Sequence, residues 1–366
     1  MDYKKIDIFA PWIFLVLVLI YLLFSFIGFN YHLKNLVGVS SDTIIIVFLG
    51  MLSYIIGMYA SKRLLKTENV SICDDKINKI ASEKIVLSVV VLGILLQIIN
   101  LIYLGGIPLF SGQLKAHAVT RIWLASYLLF LPSINILIAK YDNKLYYILF
   151  IIGLLLFVST GYRTTAMAIV LSVFITIYYT KNLKLNQIIL AIVVMFILLV
   201  VVGYVAVKSI EWQVWTLNPI ELLFYRAGYT LQVLDNAVHL QSSTHGQLLY
   251  NTLTGFFKST DPRVIVGSTT LGYAHSTTST IFGPMMLDFG LWAMLLQMFI
   301  IGMLMNIFYL VQKEFHNIYI ALYSILMAHV IIWIETGPTD LVIFLFFIIS
   351  IIILIYTLST KKEVKG

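Results

Sequence analysis

The chain has 366 residues, 60% of them hydrophobic and only 11% charged, with a mean hydropathy of +0.97. That balance excludes an ordinary soluble domain, and apolar runs of about 17–22 residues recur along the whole length, the span needed to cross a bilayer core. The single cysteine, Cys73, excludes an intramolecular disulfide and any cysteine-rich metal site, and the formal charge of +7 is read as membrane orientation and not as a nucleic-acid footprint.

Ten spans are expected in chain order, near residues 10–29, 43–60, 85–104, 122–139, 145–160, 164–180, 187–207, 289–311, 318–334 and 341–358. The stretch 145–180 is too long for one crossing, and Gly161-Tyr162-Arg163 breaks it into a hairpin. The first run lacks a small-residue cleavage site, so no removable signal is expected. The fold class is therefore all-α, a single integral membrane domain over 1–366 with one large loop, 209–284, on one face. With the amino terminus in the cytoplasm, the 24 Lys and Arg residues divide into 16 inside and 8 outside, as the positive-inside rule requires. Both termini are then cytoplasmic, in a multi-pass protein of the cell membrane. Trp123, Trp212, Trp215, Trp292 and Trp333 fall near the outer boundary and Trp12 at the inner one.

The outer side holds four of the five arginines: Arg121, Arg163, Arg226 and Arg263. Lysine is enough to hold a loop in the cytoplasm, whereas the planar fork of arginine suits bidentate contact with phosphate. An anionic partner is expected there. In the long loop, Asn218-Pro219 is a helix start, and Leu222, Leu223, Tyr225, Tyr229, Val233 and Leu234 follow at near-helical spacing. An amphipathic helix lying on the outer membrane surface is expected, with Arg226 facing the site. Asp261-Pro262-Arg263 is a turn in which the carboxylate fixes the arginine, and a run of hydroxyls follows from Ser276 to Thr280.

Each of these residues also has an ordinary reading. Arg163 can snorkel at a span end, Arg121 can flank Trp123, His275 can be solvated, and Asp340 can cap a helix. The chain has no Walker loop, no HExxH and no DxD carboxylate pair, so neither cofactor nor metal is expected. A diphosphate would then be met by Arg163, Arg226, Arg263 and Arg121, with Asp261 and Asp340 in support. The base for an incoming hydroxyl stays open between His275 and Glu335.

Four stretches carry a resemblance: GGIPLF at 105–110, GYRTT at 161–165, the loop with Arg226 and the DPR of 261–263, and HSTTSTIFGPMMLDFG at 275–290. Together they resemble the oligosaccharide repeat-unit polymerases, the Wzy-type O-antigen polymerases. The resemblance implies the membrane glycosyltransferase fold shared with O-antigen ligases and SEDS-type peptidoglycan polymerases. It implies metal-free transfer of a growing glycan from a polyprenyl diphosphate onto another lipid-linked repeat unit, with the family's loop arginines at Arg226 and Arg263 and its turn arginine at Arg163. Donor and acceptor would both be polyprenyl-diphosphate-linked oligosaccharides in membrane lipid, with a flippase or chain-length regulator as further partners and no nucleic acid. A ligase is the alternative among enzymes and a flippase the alternative among transporters. The nearly charge-free spans argue against a two-sided transport path.

Overall fold

Each apolar stretch forms a helix, because inside a bilayer a chain must satisfy its backbone groups within the segment. A computed structural model of the chain describes residues 7–64, 81–141, 143–208, 216–257 and 261–359. The helices are α1 (Ile13–Asn30), α2 (Ser41–Leu64), α3 (Glu83–Leu104), the short α4 (Gly112–Ala116), and α5 (Arg121–Lys140). They continue as α6 (Lys144–Val158), α7 (Arg163–Thr180), α8 (Leu185–Lys208) and α9 (Pro219–His239). Then come α10 (Gln247–Leu253), α11 (Pro262–Leu271), α12 (Gly283–Phe289), α13 (Leu291–Phe315), α14 (Ile318–Thr336) and α15 (Leu341–Ser359). No strand occurs among the described residues.

Eight of these helices are long and apolar enough to cross a membrane: α1, α2, α3, α5, α7, α8, α13 and α14. Two others, α6 and α15, are apolar but fall short of that length over Lys144–Val158 and Leu341–Thr357. The chain is a polytopic membrane protein. The break between α6 and α7 lies where the sequence places it, at Gly161, whose φ of +75° suits a residue without a Cβ. The lysine-rich loop around Cys73, the Trp212 and Trp215 positions and Lys258 lie outside the described residues.

Packing fixes the direction of each helix. Antiparallel α3 and α5 are joined where Ser126 Oγ donates to the Gly93 carbonyl at 2.8 Å and Thr120 Oγ1 to Asn100 Oδ1 at 2.5 Å. At their other end Tyr141 Oη donates to the Ala81 carbonyl at 2.7 Å. The α2 and α13 helices run parallel, with Ser53 bonded to the Leu295 carbonyl and Asn306 to that of Met58. Their backbones touch at two glycines. A Cβ on Gly57 would lie 2.1 Å from the Phe299 carbonyl oxygen, and one on Gly302 would lie 2.2 Å from that of Tyr54. Small residues permit such contact where no hydrophobic force draws helices together in lipid.

The α14 helix is the axis of the bundle, buried along most of its length against α5, α7 and α13. By contrast α8 exposes apolar side chains on nearly every turn. One end of the bundle gathers Lys62, Lys181 and Lys313 beside Asp7. The opposite end carries α9 to α12, together with Trp123, Trp292 and Trp333.

One expectation changes here. The amphipathic helix starts at Asn218, with a full capping box to Glu221, but it does not lie by itself on a surface. It packs along α1, α2 and α12, burying Ala227, Gly228, Leu231 and Leu234. The reason is steric: a Cβ on Gly28 of α1 would lie 2.6 Å from the Phe224 carbonyl oxygen, so the two backbones meet.

Candidate active site

The α9–α12 end holds two groups of charged side chains. The first centres on Glu335, in the last turn of α14. Arg163 opens α7 and donates through Nη2 to Glu335 Oε1. Arg226, two turns into α9, donates to the same oxygen through Nε at 3.3 Å and Nη2 at 3.1 Å. The capping box fixes the start of α9 and hence the height of Arg226. The three side chains are 22%, 28% and 26% exposed, so the group is reachable but largely withdrawn from water.

Lys115, on α4, adds a third cation. Burial, together with the charges of Arg163 and Arg226 acting in the same direction, lowers its ammonium to about 8. Three cations against one carboxylate leave this group with a formal excess of two positive charges while Lys115 is protonated. Thr230, one turn beyond Arg226, hydrogen-bonds the Tyr21 hydroxyl and so ties α9 to α1 below the group.

The second group centres on Arg263. Asp261 caps α11: its Oδ1 accepts from the Arg263 backbone N–H and from Nε, each at 3.0 Å, and its Oδ2 accepts from Ser276 Oγ at 3.0 Å. Burial would raise the Asp261 carboxyl, but the Arg263 guanidinium and these bonds outweigh it and hold it below the usual carboxylate range. Asp340 lies nearby, ahead of α15. Burial pushes its carboxyl up, Arg263 opposes that shift, and Asp261 adds to it. A cavity of about 420 Å³ opens beside them, lined by Arg121, Arg263, His117, Asn251, Phe256 and Asp340 among others.

The sequence-derived residues therefore divide. Arg163, Arg226 and Glu335 form one group, while Arg263, Asp261, Asp340 and Arg121 belong to the other. Arg121 is exposed, lies over the Phe256 ring at 6.0 Å, and reaches the Phe257 carbonyl at 3.5 Å. His275 is exposed beside Tyr273, with ring centroids 6.1 Å apart, and lines neither group. In the sequence Lys115 reads only as one of the eight charges on the outer side. The signal was its place after the Gly-Gly and Pro turn, which folds α4 back towards Arg163. Asp288, in the motif stretch 275–290, is 2% exposed. It accepts from Thr244 Oγ1 at 2.6 Å and from the Leu248 and Leu249 N–H groups at 3.0 and 2.7 Å. Its visible work is to hold the start of α10.

A family model described as "Putative O-antigen polymerase" matches residues 7–347, a range that contains every residue of both groups. The chain belongs to this O-antigen polymerase family. It is 24% identical over 358 residues to the uncharacterized protein MJ0419 of Methanocaldococcus jannaschii, covering 96% of this chain and 95% of that one. It is 32% identical over 247 residues to the uncharacterized protein MJ0420 of the same organism, covering 67% of this chain and 59% of the relative. No solved structure matches. Membership of the O-antigen polymerase family makes this a multi-pass membrane protein of glycosyltransferase type, and the family implies lipid-linked oligosaccharide substrates.

Proposed function

We propose that the protein polymerises polyprenyl-diphosphate-linked oligosaccharide repeat units into a surface polysaccharide on the outer face of the cell membrane. The observation that carries this reading is the convergence of Arg163 and Arg226 on Glu335, with Lys115 beside them. Glu335 neutralises one cation and holds the two guanidiniums side by side on one oxygen, and the remaining charge suits a diphosphate. The lipid tail lies between helices while the diphosphate sits at their ends. As the acceptor attacks the anomeric carbon, charge grows on the departing diphosphate, and cations already in place stabilise it without reorganisation. Protein cations supply this charge, so the reaction proceeds without a divalent metal. With the Lys-rich end in the cytoplasm, both termini are cytoplasmic and the site faces outward.

The test uses the lipid-linked oligosaccharide that accumulates in cells lacking this gene. Added to the purified protein in lipid nanodiscs with chelator present, it is expected to yield a ladder of products. A single transfer to a different acceptor would mean a ligase, and no product with movement across vesicles would mean a transporter. Loss of the ladder on chelation, with recovery on adding magnesium or manganese, would overturn the metal-free mechanism.

A further inference from the structure

The acidic side chains at the α9–α12 end are of two kinds. Most are committed as acceptors. Glu335 takes two arginines, and Asp261 takes Arg263 and Ser276. Asp288 takes two backbone N–H groups and a threonine. Asp235 accepts from Thr43 at 2.6 Å, and Glu221 closes the cap of α9 at 2.9 Å. Asp340 differs. Among the described residues its carboxylate accepts no hydrogen bond, yet unlike the exposed Asp42 it is withdrawn from bulk water and faces a cavity. Arg263 is near, but Asp261 takes its Nε and backbone N–H, so no direct bond holds Asp340 in the charged form.

The cavity itself has the chemistry of a saccharide site. Its 420 Å³ falls within the range of roughly 300–1,000 Å³ typical of small-molecule sites. It combines an aromatic ring (Phe256), an amide (Asn251), an imidazole (His117) and guanidinium donors. Thr339, at its edge, is only 5% exposed, and its hydroxyl is buried without a hydrogen-bond partner. A buried hydroxyl left unpaired is costly, and a sugar hydroxyl would satisfy it. Gly337 sets this arrangement. Its φ of +71° turns the chain between Glu335 and Asp340, so that four residues connect the diphosphate group to the cavity.

We propose that this cavity receives the acceptor saccharide and that Asp340 is the proton acceptor for its attacking hydroxyl. The proposal rests on the polymerase reading above and adds to it the acceptor site and the base. The hydroxyl proton passes to an Asp340 carboxylate oxygen as the hydroxyl oxygen bonds to the donor's anomeric carbon. The bond from that carbon to the diphosphate oxygen breaks, and its electron pair leaves with the diphosphate, held by Arg163, Arg226 and Lys115. A carboxylate raised by burial is a better base than one bonded to arginine. The charged and titratable groups around Asp340 are Arg263 and Asp261 at α11, Tyr162 ahead of α7, and His117 and Arg121 near α5. Tyr127 and His329 line a second, smaller cavity that shares Arg263 and Asp340 with the first.

The experiment measures polymerisation of the same accumulated lipid-linked unit by Asp340→Asn, Asp340→Glu and Thr339→Val, together with binding of polyprenyl diphosphate alone. Asp340→Asn is expected to slow transfer by about 10²–10⁴-fold while diphosphate binding persists. Asp340→Glu should recover part of the rate, with the acid limb of the pH–rate profile displaced from its wild-type position. Thr339→Val should raise the acceptor KM by about 2- to 12-fold, the loss of one neutral hydrogen bond, with little change in kcat. If the wild type forms no ladder, the polymerase reading fails and this proposal falls with it. If the wild type forms a ladder and Asp340→Asn stays within threefold of it, or Asp340→Glu leaves the acid limb unmoved, Asp340 is not the base. An unchanged acceptor KM in Thr339→Val would place the acceptor elsewhere.

Discussion

Arg226 and Glu335, 109 residues apart in the chain, meet through two N–H groups on a single carboxylate oxygen, Nε at 3.3 Å and Nη2 at 3.1 Å. Arg163 reaches the same oxygen from a third helix. One acidic side chain thus pins the start of α7 and the middle of α9 to the end of α14. It also holds two like charges side by side in a place that water only partly screens.

The arginine forks should matter beyond their charge. Arg163→Lys and Arg226→Lys keep the cation but lose the planar donors. Losing one charge-assisted contact, about 1.5–3 kcal/mol, corresponds to roughly 10- to 150-fold in transfer rate. Ladder formation by the purified variants checks this, with detergent-phase size exclusion confirming that each is folded. Near-wild-type turnover in both would make these residues interfacial anchors.

Glu335→Gln should separate binding from turnover. With a neutral amide in place of the carboxylate the two guanidiniums gain net charge and keep only a weaker acceptor to align them. Inorganic diphosphate is expected to bind more tightly, while kcat for the lipid-linked unit drops at least tenfold, about 1.4 kcal/mol in barrier. Unchanged affinity together with unchanged kcat would remove Glu335 from the site.

Lys115 gives the pH dependence a sign. Burial, then Arg163 and Arg226, lower its ammonium to about 8, so it is charged below that pH and neutral above. If it helps to hold the donor, kcat/KM should fall as pH rises through about 8. Lys115→Arg should abolish that limb, because a guanidinium stays charged across the range. A limb that persists in Lys115→Arg belongs to another group.

The glycine contact between α2 and α13 should be a point of structural vulnerability. Any side chain at Gly57 or Gly302 would drive into a backbone carbonyl that cannot move aside. Gly302→Leu is expected to cost about 1–3 kcal/mol or more, read as a lower midpoint in a thermal melt of the detergent-solubilised protein. A melt identical to wild type would mean that the helices separate without penalty.

Orientation can be tested from two exposed positions at opposite ends of the bundle. In a Cys73→Ser background, Ser243→Cys is expected to react with an impermeant thiol reagent on intact cells and Asn182→Cys only after permeabilisation. Labelling of both on intact cells would contradict the assignment of sides.

Much of this architecture was legible in the sequence, because the membrane makes it so. A helix that satisfies its own backbone must be apolar for a set length, and the ends of α1, α3, α7 and α14 lie within a few residues of where hydropathy places them. The hairpin at Gly161, the cap at Asn218 and the Asp261–Arg263 pairing were equally readable, since each is decided by neighbours in the chain. What the sequence could not show was which distant residues meet. The four outer arginines read as one set, and only packing divides them, sending Arg163 and Arg226 to Glu335 and leaving Arg263 and Arg121 by the cavity. Lys115 acquires its lowered ammonium only once α4 folds back towards two arginines from other helices. Glu335 and Asp340 look alike as two carboxylates in one short turn, yet one becomes a counter-ion and the other an unbonded acid facing a cavity. Proximity between charges and the loss of water around them belong to tertiary structure, and these two decide what each ionisable group in this protein can do.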